Sequence, residues 1–406
     1  MASRREAPPD PHPALDWARS GAMALTGPPD RPPRVEAAGV AAVARGAALA
    51  LHALAAERGV ELAVDGPALL AERAALLGLS RRGRVSAGGA SRLLPAADGW
   101  LAASLPRPED LASLPAWLGV EPGADRWRAV EARVRDGKVE ELVERARLLG
   151  LAVAPVAEPP DAPPPWMRIA VRGPRRTRNG AAPRVVDLSS LWAGPLCAQL
   201  LRAAGAQVLK VESASRPDAA RAHGAFFARL NAGKRPLALD LTRAEGRAEL
   251  QRLVAEADVV IESARPRALA QLGIDAEALV AERPGLVWIA ISGYGRREPG
   301  AAWVGFGDDA AAAAGLASLA GRGLGAPVFC ADAVADPLMG LHAAVAALAG
   351  LARGEAVLFD LALRDVAAQA ARFAGAARDV RVVATADGFE VEAGGVRQAV
   401  LPPRAG

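Results

Sequence analysis

Hydrophobic positions along this chain follow two rhythms. From Gly39 to Glu57, Gly66 to Leu79, Glu109 to Leu118 and Asp125 to Leu149 they recur at three- and four-residue steps, the spacing of a helix with one buried face. Between Arg84 and Leu105 they alternate around glycines and an Asp98–Gly99 turn, which predicts a β-hairpin. After Arg184 short apolar runs begin to alternate with helical ones. Arg184–Leu188, Gln207–Glu212, Leu237–Leu241, Ala257–Glu262 and Leu286–Ser292 read as strands, separated by helices at Gly194–Ala204 and at Thr242–Glu256, the latter opened by a threonine cap. Apolar strands alternating with amphipathic helices imply a parallel sheet covered on both faces, with ligands at the carboxyl ends of its strands.

The fold class expected is therefore α/β, a Rossmann-like parallel-sheet domain with a smaller α+β domain placed N-terminally. The boundaries follow composition. Residues 1–17 are rich in proline and charge and read as a disordered tail; 18–154 form the small domain. Residues 155–183, with PPDAPPP and RGPRRTRNG, read as a linker too poor in packing residues for a core element. The Rossmann-like domain occupies 184–380, and 381–406 form a C-terminal extension.

Composition narrows the function. Within 406 residues no uncharged apolar run reaches the ~18 residues of a membrane span, and the basic start lacks the apolar stretch of a signal peptide, so a cytoplasmic protein without a membrane partner is expected. Cys197 and Cys330 have apolar neighbours and read as buried thiols. His12, His52, His223 and His342 are scattered without ligand spacing, so no metal site is expected. The net charge of +4 comes from dispersed arginines. That gives little support to a nucleic-acid surface, and an anionic small molecule accounts for it equally well; no nucleic-acid partner is expected. Lysine stands only at Lys138, Lys210 and Lys234. The turn after the first strand of the second half, DLSSLWAGP, lacks G-x-G-x-x-G, which disfavours a nicotinamide dinucleotide.

The stretch Ala331 to Gly350, ADAVADPLMGLHAAVAALAG, sets two acids before a helix that Pro337 suits as a first-turn residue. On local pattern Asp336 is a helix cap or an active carboxylate, and Asp332 a solvated or capping acid. A weak repeat accompanies it: SGAMALTG at Ser20–Gly27 resembles AGLASLAG at Ala314–Gly321, and AVARGAALALHALAA resembles AVADPLMGLHAAVAALA, setting Arg45 against Asp336.

Residues 184 to about 350 resemble the family III CoA-transferases, the group of formyl-CoA transferase, carnitine CoA-transferase and α-methylacyl-CoA racemase. The segments that carry the resemblance are RVVDLSSLWAGPLCAQLLRAAGAQVLKVES, LNAGKRPLALDLTRAEGRAELQRLVAEADVVIESARPRALAQLGI, ISGYGRREPG and ADPLMGLHAAVAALAG, in that order. ADGWLAASLPRPEDLASLPAWLG and ERARLLGLAVAPV resemble, more faintly, the start and end of the family's small domain, which there follows the Rossmann-like domain. The resemblance thus implies a permuted or fused arrangement.

It also implies an activity: transfer of coenzyme A between carboxylic acids through an aspartyl anhydride and an aspartyl-CoA thioester, with acyl-CoA and a carboxylic acid as substrates, no permanently bound cofactor, and a homodimer. The family's D-x-x-x-G-[LM]-H pattern reads D-P-L-M-G-L-H here, making Asp336 the nucleophile it implies and leaving His342 as a packing residue. Leu191, Trp192, Ala193, Lys210 and Lys234 match stretches lining the CoA site, and Ser263, Ala264 and Arg265 are the implied CoA-binding residues where the family often has Asn-Phe before a Gly or Arg and Pro. Gly88 and Gly89 are the possible counterpart of a glycine loop that shields the anhydride. Val304–Ala310, VGFGDDA, lacks the histidine a racemase places there, so racemisation is disfavoured; a non-catalytic CoA-binding paralogue is the other alternative.

Overall fold

The computed structural model describes residues 12–121, 123, 125–177, 180–264, 266–373 and 379–405. The hairpin forms where the alternation predicts it. Strands β1 (Ser91–Ala96) and β2 (Gly99–Ser104) pair antiparallel, with Ala96 opposite Gly99, and β3 (Ala152–Pro155) pairs with the other edge of β2. One face of this sheet presents Leu94, Leu101 and Val153 to helices between 108 and 148, around the buried Trp117. The opposite face, with Leu93 and Ala102, packs on Ala312, Ala317 and Phe329 of the larger body. The expected long helix after Asp125 is two, Arg126–Arg135 and Val139–Leu148, because Gly137 interrupts it.

The main sheet contains β4 (Arg168–Arg175), β5 (Arg184–Asp187), β6 (Gln207–Ser213), β7 (Arg235–Leu239), β8 (Val259–Glu262), β9 (Val287–Ser292) and β10 (Glu355–Ala362), in the order β4-β10-β9-β8-β5-β6-β7. All neighbours are parallel except β4, which runs antiparallel on the edge. Adjacent residues face opposite layers, as a doubly covered sheet requires: Val185, Val259, Ile261, Val287 and Ile289 pack with helices Ala193–Ala203 and Ala335–Arg353, whereas Val186, Val260 and Trp288 pack with Leu250, Val254 and Val280. From β5 the chain winds outward through β6 and β7, then returns to β8 on the other side, so the topological switch lies between the carboxyl ends of β5 and β8.

Three segments differ from those expected, and the C-terminal extension has a structure of its own. The segment 155–183 contains β4, whose Ile169 and Val171 alternate with arginines; an edge position tolerates its Pro174 and its charge, and Arg172 pairs with Glu355 of β10. Within 1–17, residues 1–11 lie outside the described residues, but Pro13–Arg19 is a helix whose Trp17 is fully buried and donates Nε1 to the Arg34 carbonyl at 2.9 Å. The helices from Pro13 to Leu77 share the core of the large sheet rather than that of the hairpin domain, because the 39–56 helix lies against helix 335–353. Residues 381–399 form an antiparallel meander, β11 (Arg381–Thr385), β12 (Gly388–Ala393) and β13 (Val396–Ala399), packed on helix 13–19. A smaller difference concerns Thr242, which bonds to Asp240 while the helix starts at Ala244 with Arg243 in the cap position.

Helices Gly39–Ala56 and Ala335–Arg353 are long and apolar enough to cross a membrane, but the second is buried within the protein along most of its length. Trp17→Ala should lower stability by about 3–5 kcal/mol, read as a fall in the urea midpoint, since it empties a closed core site; a neutral result would return this segment to the status of a loose tail.

Candidate active site

Asp336 is the second residue of helix Ala335–Arg353, whose N-terminus has no side-chain cap, so the capping role is not the one it performs. Its side chain stays partly open to solvent. Among the described residues no side chain donates a hydrogen bond to its carboxylate. Two glycines make this position possible. At Gly340 a Cβ would sit 2.8 Å from the Leu196 side chain, so the D-x-x-x-G glycine lets the helix lie on helix 193–203. At Gly307 a Cβ would sit 2.2 Å from Asp336 Oδ2, so any side chain there would fill the space the carboxylate occupies.

The loop ahead of the helix is held from three directions. Ala331 and Ala333 have left-handed φ values of 54° and 42°, a conformation alanine adopts only when its surroundings impose it. Ala331 N–H donates to Thr26 Oγ1 at 2.9 Å and Ala333 N–H to Asp308 Oδ1 at 3.0 Å. Between them Asp332, expected to be a solvated or capping acid, is fully buried and accepts from Arg73 Nε at 2.8 Å and Nη2 at 2.5 Å. The Arg73 guanidinium carbon lies 5.0 Å from the Trp192 ring centre, which joins this loop to the switch point.

Asp308 and Asp309 complete an acidic cluster. Asp308 accepts from Ser91 Oγ of the hairpin at 2.9 Å, and Asp309 from Tyr294 Oη at 2.8 Å and from the Phe306 N–H at 2.8 Å. Burial pushes both up, Asp308 to about 6 with help from Asp332, and Asp309 to about 7. For Asp336 burial is again the largest cause; Arg73 opposes it, Asp308, Asp309 and Asp332 add to it, and the carboxyl rises to about 7. A carboxylate that is unbonded, partly open and near half-ionised at neutral pH is suited to nucleophilic attack or to accepting a proton.

The residues expected at the CoA site fall into two groups. Leu191 is exposed at the carboxyl end of β5 in a left-handed conformation, its N–H bonded to Asp218, and Ser190 N–H donates to Ser263 Oγ across the switch at 3.2 Å. Ser263 and Ala264 are exposed there, Trp192 and Ala193 are buried behind Leu191, and Arg265 lies outside the described residues. Lys210 and Lys234 are internal. Lys210 Nζ donates to the Ser189 carbonyl and reaches Asp218 at 3.4 Å; Lys234 Nζ donates to Asp187 at 2.9 Å, to the Pro195 carbonyl and to Asn231. Burial lowers Lys234, while the two lysines hold Asp187 below the usual carboxylate range in spite of its burial. Both ammonium groups are thus held by internal acceptors rather than presented at the switch point.

Gly88 and Gly89 turn beside the site. Gly89 has φ 82°, and a Cβ on Gly88 would lie 3.3 Å from Arg73 Nη2. His342 is buried, with Nδ1 against the Leu338 carbonyl at 2.7 Å and its ring edge-on to Trp166. Arg45, the repeat's counterpart of Asp336, pairs instead with Asp16. Cys197 and Cys330 are buried free thiols, the latter raised to about 12 by burial. No cluster suited to a metal occurs among the described residues. Sequence reasoning did not find Arg73, Ser91 or Gly307. Arg73 is one arginine among many in the chain, and only its place in an apolar helical run marks it.

Lys234→Met should lower the urea midpoint, by about 3–5 kcal/mol in stability, because it strands Asp187 as a buried charge. Unchanged stability with weakened CoA binding would instead make Lys234 a ligand contact.

Three comparisons bear on this geometry. A family description, CoA-transferase family III, matches residues 182–392, more than half the chain. The succinate–glutarate CoA-transferase of Agrobacterium fabrum is 35% identical over 201 residues, covering 45% of this chain and 50% of that protein. The formyl-CoA:oxalate CoA-transferase of Escherichia coli is 31% identical over 180 residues, covering 42% and 43%. A crystal structure of a CAIB/BAIF family protein from Brucella suis is 31% identical with a TM-score of 0.47, covering 51% of this chain and 64% of that one. The chain spans about half the length of the two transferases. With the match running over the parallel sheet, the switch-point loops and the Asp336 helix, the chain belongs to the family III CoA-transferases.

Proposed function

We propose that this protein transfers coenzyme A from an acyl-CoA to a free carboxylic acid, with Asp336 as nucleophile. The observation that carries the reading is an uncapped, unbonded and partly open carboxylate on the first turn of helix 335–353, joined through Asp332, Arg73 and Trp192 to the switch point between β5 and β8. Asp336 Oδ attacks the thioester carbonyl: a C–O bond forms, the C–S bond breaks, and CoA leaves as the thiolate, giving a mixed anhydride. The thiolate then attacks the aspartyl carbonyl; a C–S bond forms, the anhydride C–O bond breaks, and the donor acid departs. The acceptor carboxylate displaces the thiolate from the aspartyl thioester, and the thiolate attacks the acceptor's acyl carbon, releasing new acyl-CoA and the free Asp336 carboxylate.

In this reading Leu191, Trp192, Ala193, Ser263 and Ala264 border the CoA path, and Gly88–Gly89 form the loop that shields the anhydride beside Arg73. A homodimer, a cytoplasmic location and a permuted or fused origin of the N-terminal part belong to the same proposal. A racemase would need a base facing the aspartate, and residues 304–310 offer Asp308 and Asp309, not histidine.

Acyl-CoA with hydroxylamine should yield a hydroxamate at Asp336, located by mass spectrometry, and Asp336→Asn should abolish it with a urea midpoint no lower than that of wild type. A hydroxamate-free wild type across short-chain mono- and dicarboxylyl-CoAs would overturn the proposal. Because attack needs the ionised carboxylate, single-turnover trapping should rise with pH through about 7. The same shift acts on stability with the opposite sign. A carboxyl raised on folding favours the native state at low pH and loses that contribution as pH climbs to about 7. Relative to wild type, Asp336→Asn should therefore gain stability between pH 5 and 8, as measured by urea midpoints.

A further inference from the structure

Arg73 lies on the short helix Glu72–Leu77, more than a hundred residues before the part of the chain that the family description matches, yet its guanidinium is inside the site. Nε and Nη2 form a fork on the two oxygens of Asp332, the guanidinium lies 5.0 Å from the centre of the Trp192 ring, and a Cβ on Gly88 would come within 3.3 Å of Nη2. Only arginine combines a bidentate edge with a stacking face. Its partner Asp332 is wholly buried and stands four residues before Asp336, in the loop where both flanking alanines are left-handed.

The charges facing Asp336 are Arg73 from helix 72–77, Asp332 from its own loop, and Asp308 and Asp309 from helix Gly307–Ala313. One cation thus acts against three acids. Arg73 forms no direct ion pair with Asp336, so it works on that carboxylate through space and through the loop it anchors.

We propose that Arg73 is a positioning residue for the nucleophile: it locks the Asp332 loop that carries the first helical turn, and its charge favours the ionised form of the Asp336 carboxylate that attacks. This rests on the reading of Asp336 as the nucleophile. Without Arg73 the three acids act unopposed, and Asp336 holds its proton to higher pH.

The test compares wild type, Arg73→Gln, Arg73→Lys and the double variant Arg73→Gln/Asp332→Asn, which leaves no unpaired buried charge at the anchor. Two readouts are taken from pH 5 to 9: single-turnover hydroxamate formation from succinyl-CoA, and modification of Asp336 by a water-soluble carbodiimide, which reacts with the protonated acid and needs no turnover. Arg73→Gln should move both pH profiles upward by about one unit or more, so that the rate on the acid limb falls roughly tenfold. The double variant should keep part of that displacement, reduced because the Asp332 charge is removed with the cation, and have a urea midpoint near that of wild type; Arg73→Lys should return part of the single variant's displacement by restoring charge without the fork. Profiles that stay in place in Arg73→Gln, or a displacement that disappears in the double variant, would overturn the proposal. Absence of hydroxamate in wild type would count against the transferase reading alone, because the carbodiimide profile still decides what Arg73 does.

Discussion

Helix 335–353 can lie against helix 193–203 only because residue 340 has no side chain to hold them apart. That contact sets the height of the helix on the sheet, and with it the place of its first turn. Its body is buried on nearly all sides, between the 193–203 helix, the N-terminal helix 39–56 and the strands β9 and β10. A helix enclosed in this way has no freedom to rotate or slide without opening voids in a close-packed core. The half-buried carboxylate at its start is therefore held by the whole of the helix behind it, and Gly307 leaves the space that the carboxylate occupies.

The acidic cluster follows from the same crowding. Four aspartates, 308, 309, 332 and 336, lie close enough to affect one another in a region largely screened from water, with Arg73 as the cation acting among them. Three of them are compensated by different means. Asp332 is neutralised by a guanidinium fork, whereas Asp308 and Asp309 accept hydroxyl and amide hydrogen bonds and have raised affinity for protons. Asp336 shares the raised affinity for protons but has neither a guanidinium fork nor a hydrogen-bond donor on its carboxylate. The cost of leaving it unbonded is spread over its neighbours, an arrangement common where a group must react rather than support the fold.

How much of this could be read from the residues depended on distance along the chain. Strands β5, β6, β8 and β9 were legible because a sheet buried on both faces writes continuous apolar runs. β4 was not, since an edge strand carries arginines and a proline, the same residues that mark a linker. Asp336 was legible through a local pattern, D-x-x-x-G, in which the glycine has a packing reason. Lys210 and Lys234 were recognised as special but not as internal, because burial is decided by Asp218 and Asp187, partners whose approach no spacing rule announces. Arg73 was invisible for the same reason: its partner lies 259 positions away.

The alanines at 331 and 333 carry one more consequence. Their backbone shape is unfavourable by itself, and the bonds that enforce it come from Thr26, Asp308 and Arg73, which belong to separate parts of the chain. No local segment can release this loop alone, and none can form it alone. Its amide protons should therefore exchange only through openings as large as the cooperative unit that joins the N-terminal helices to the sheet, making the three residues ahead of the nucleophile among the last places in the molecule to loosen.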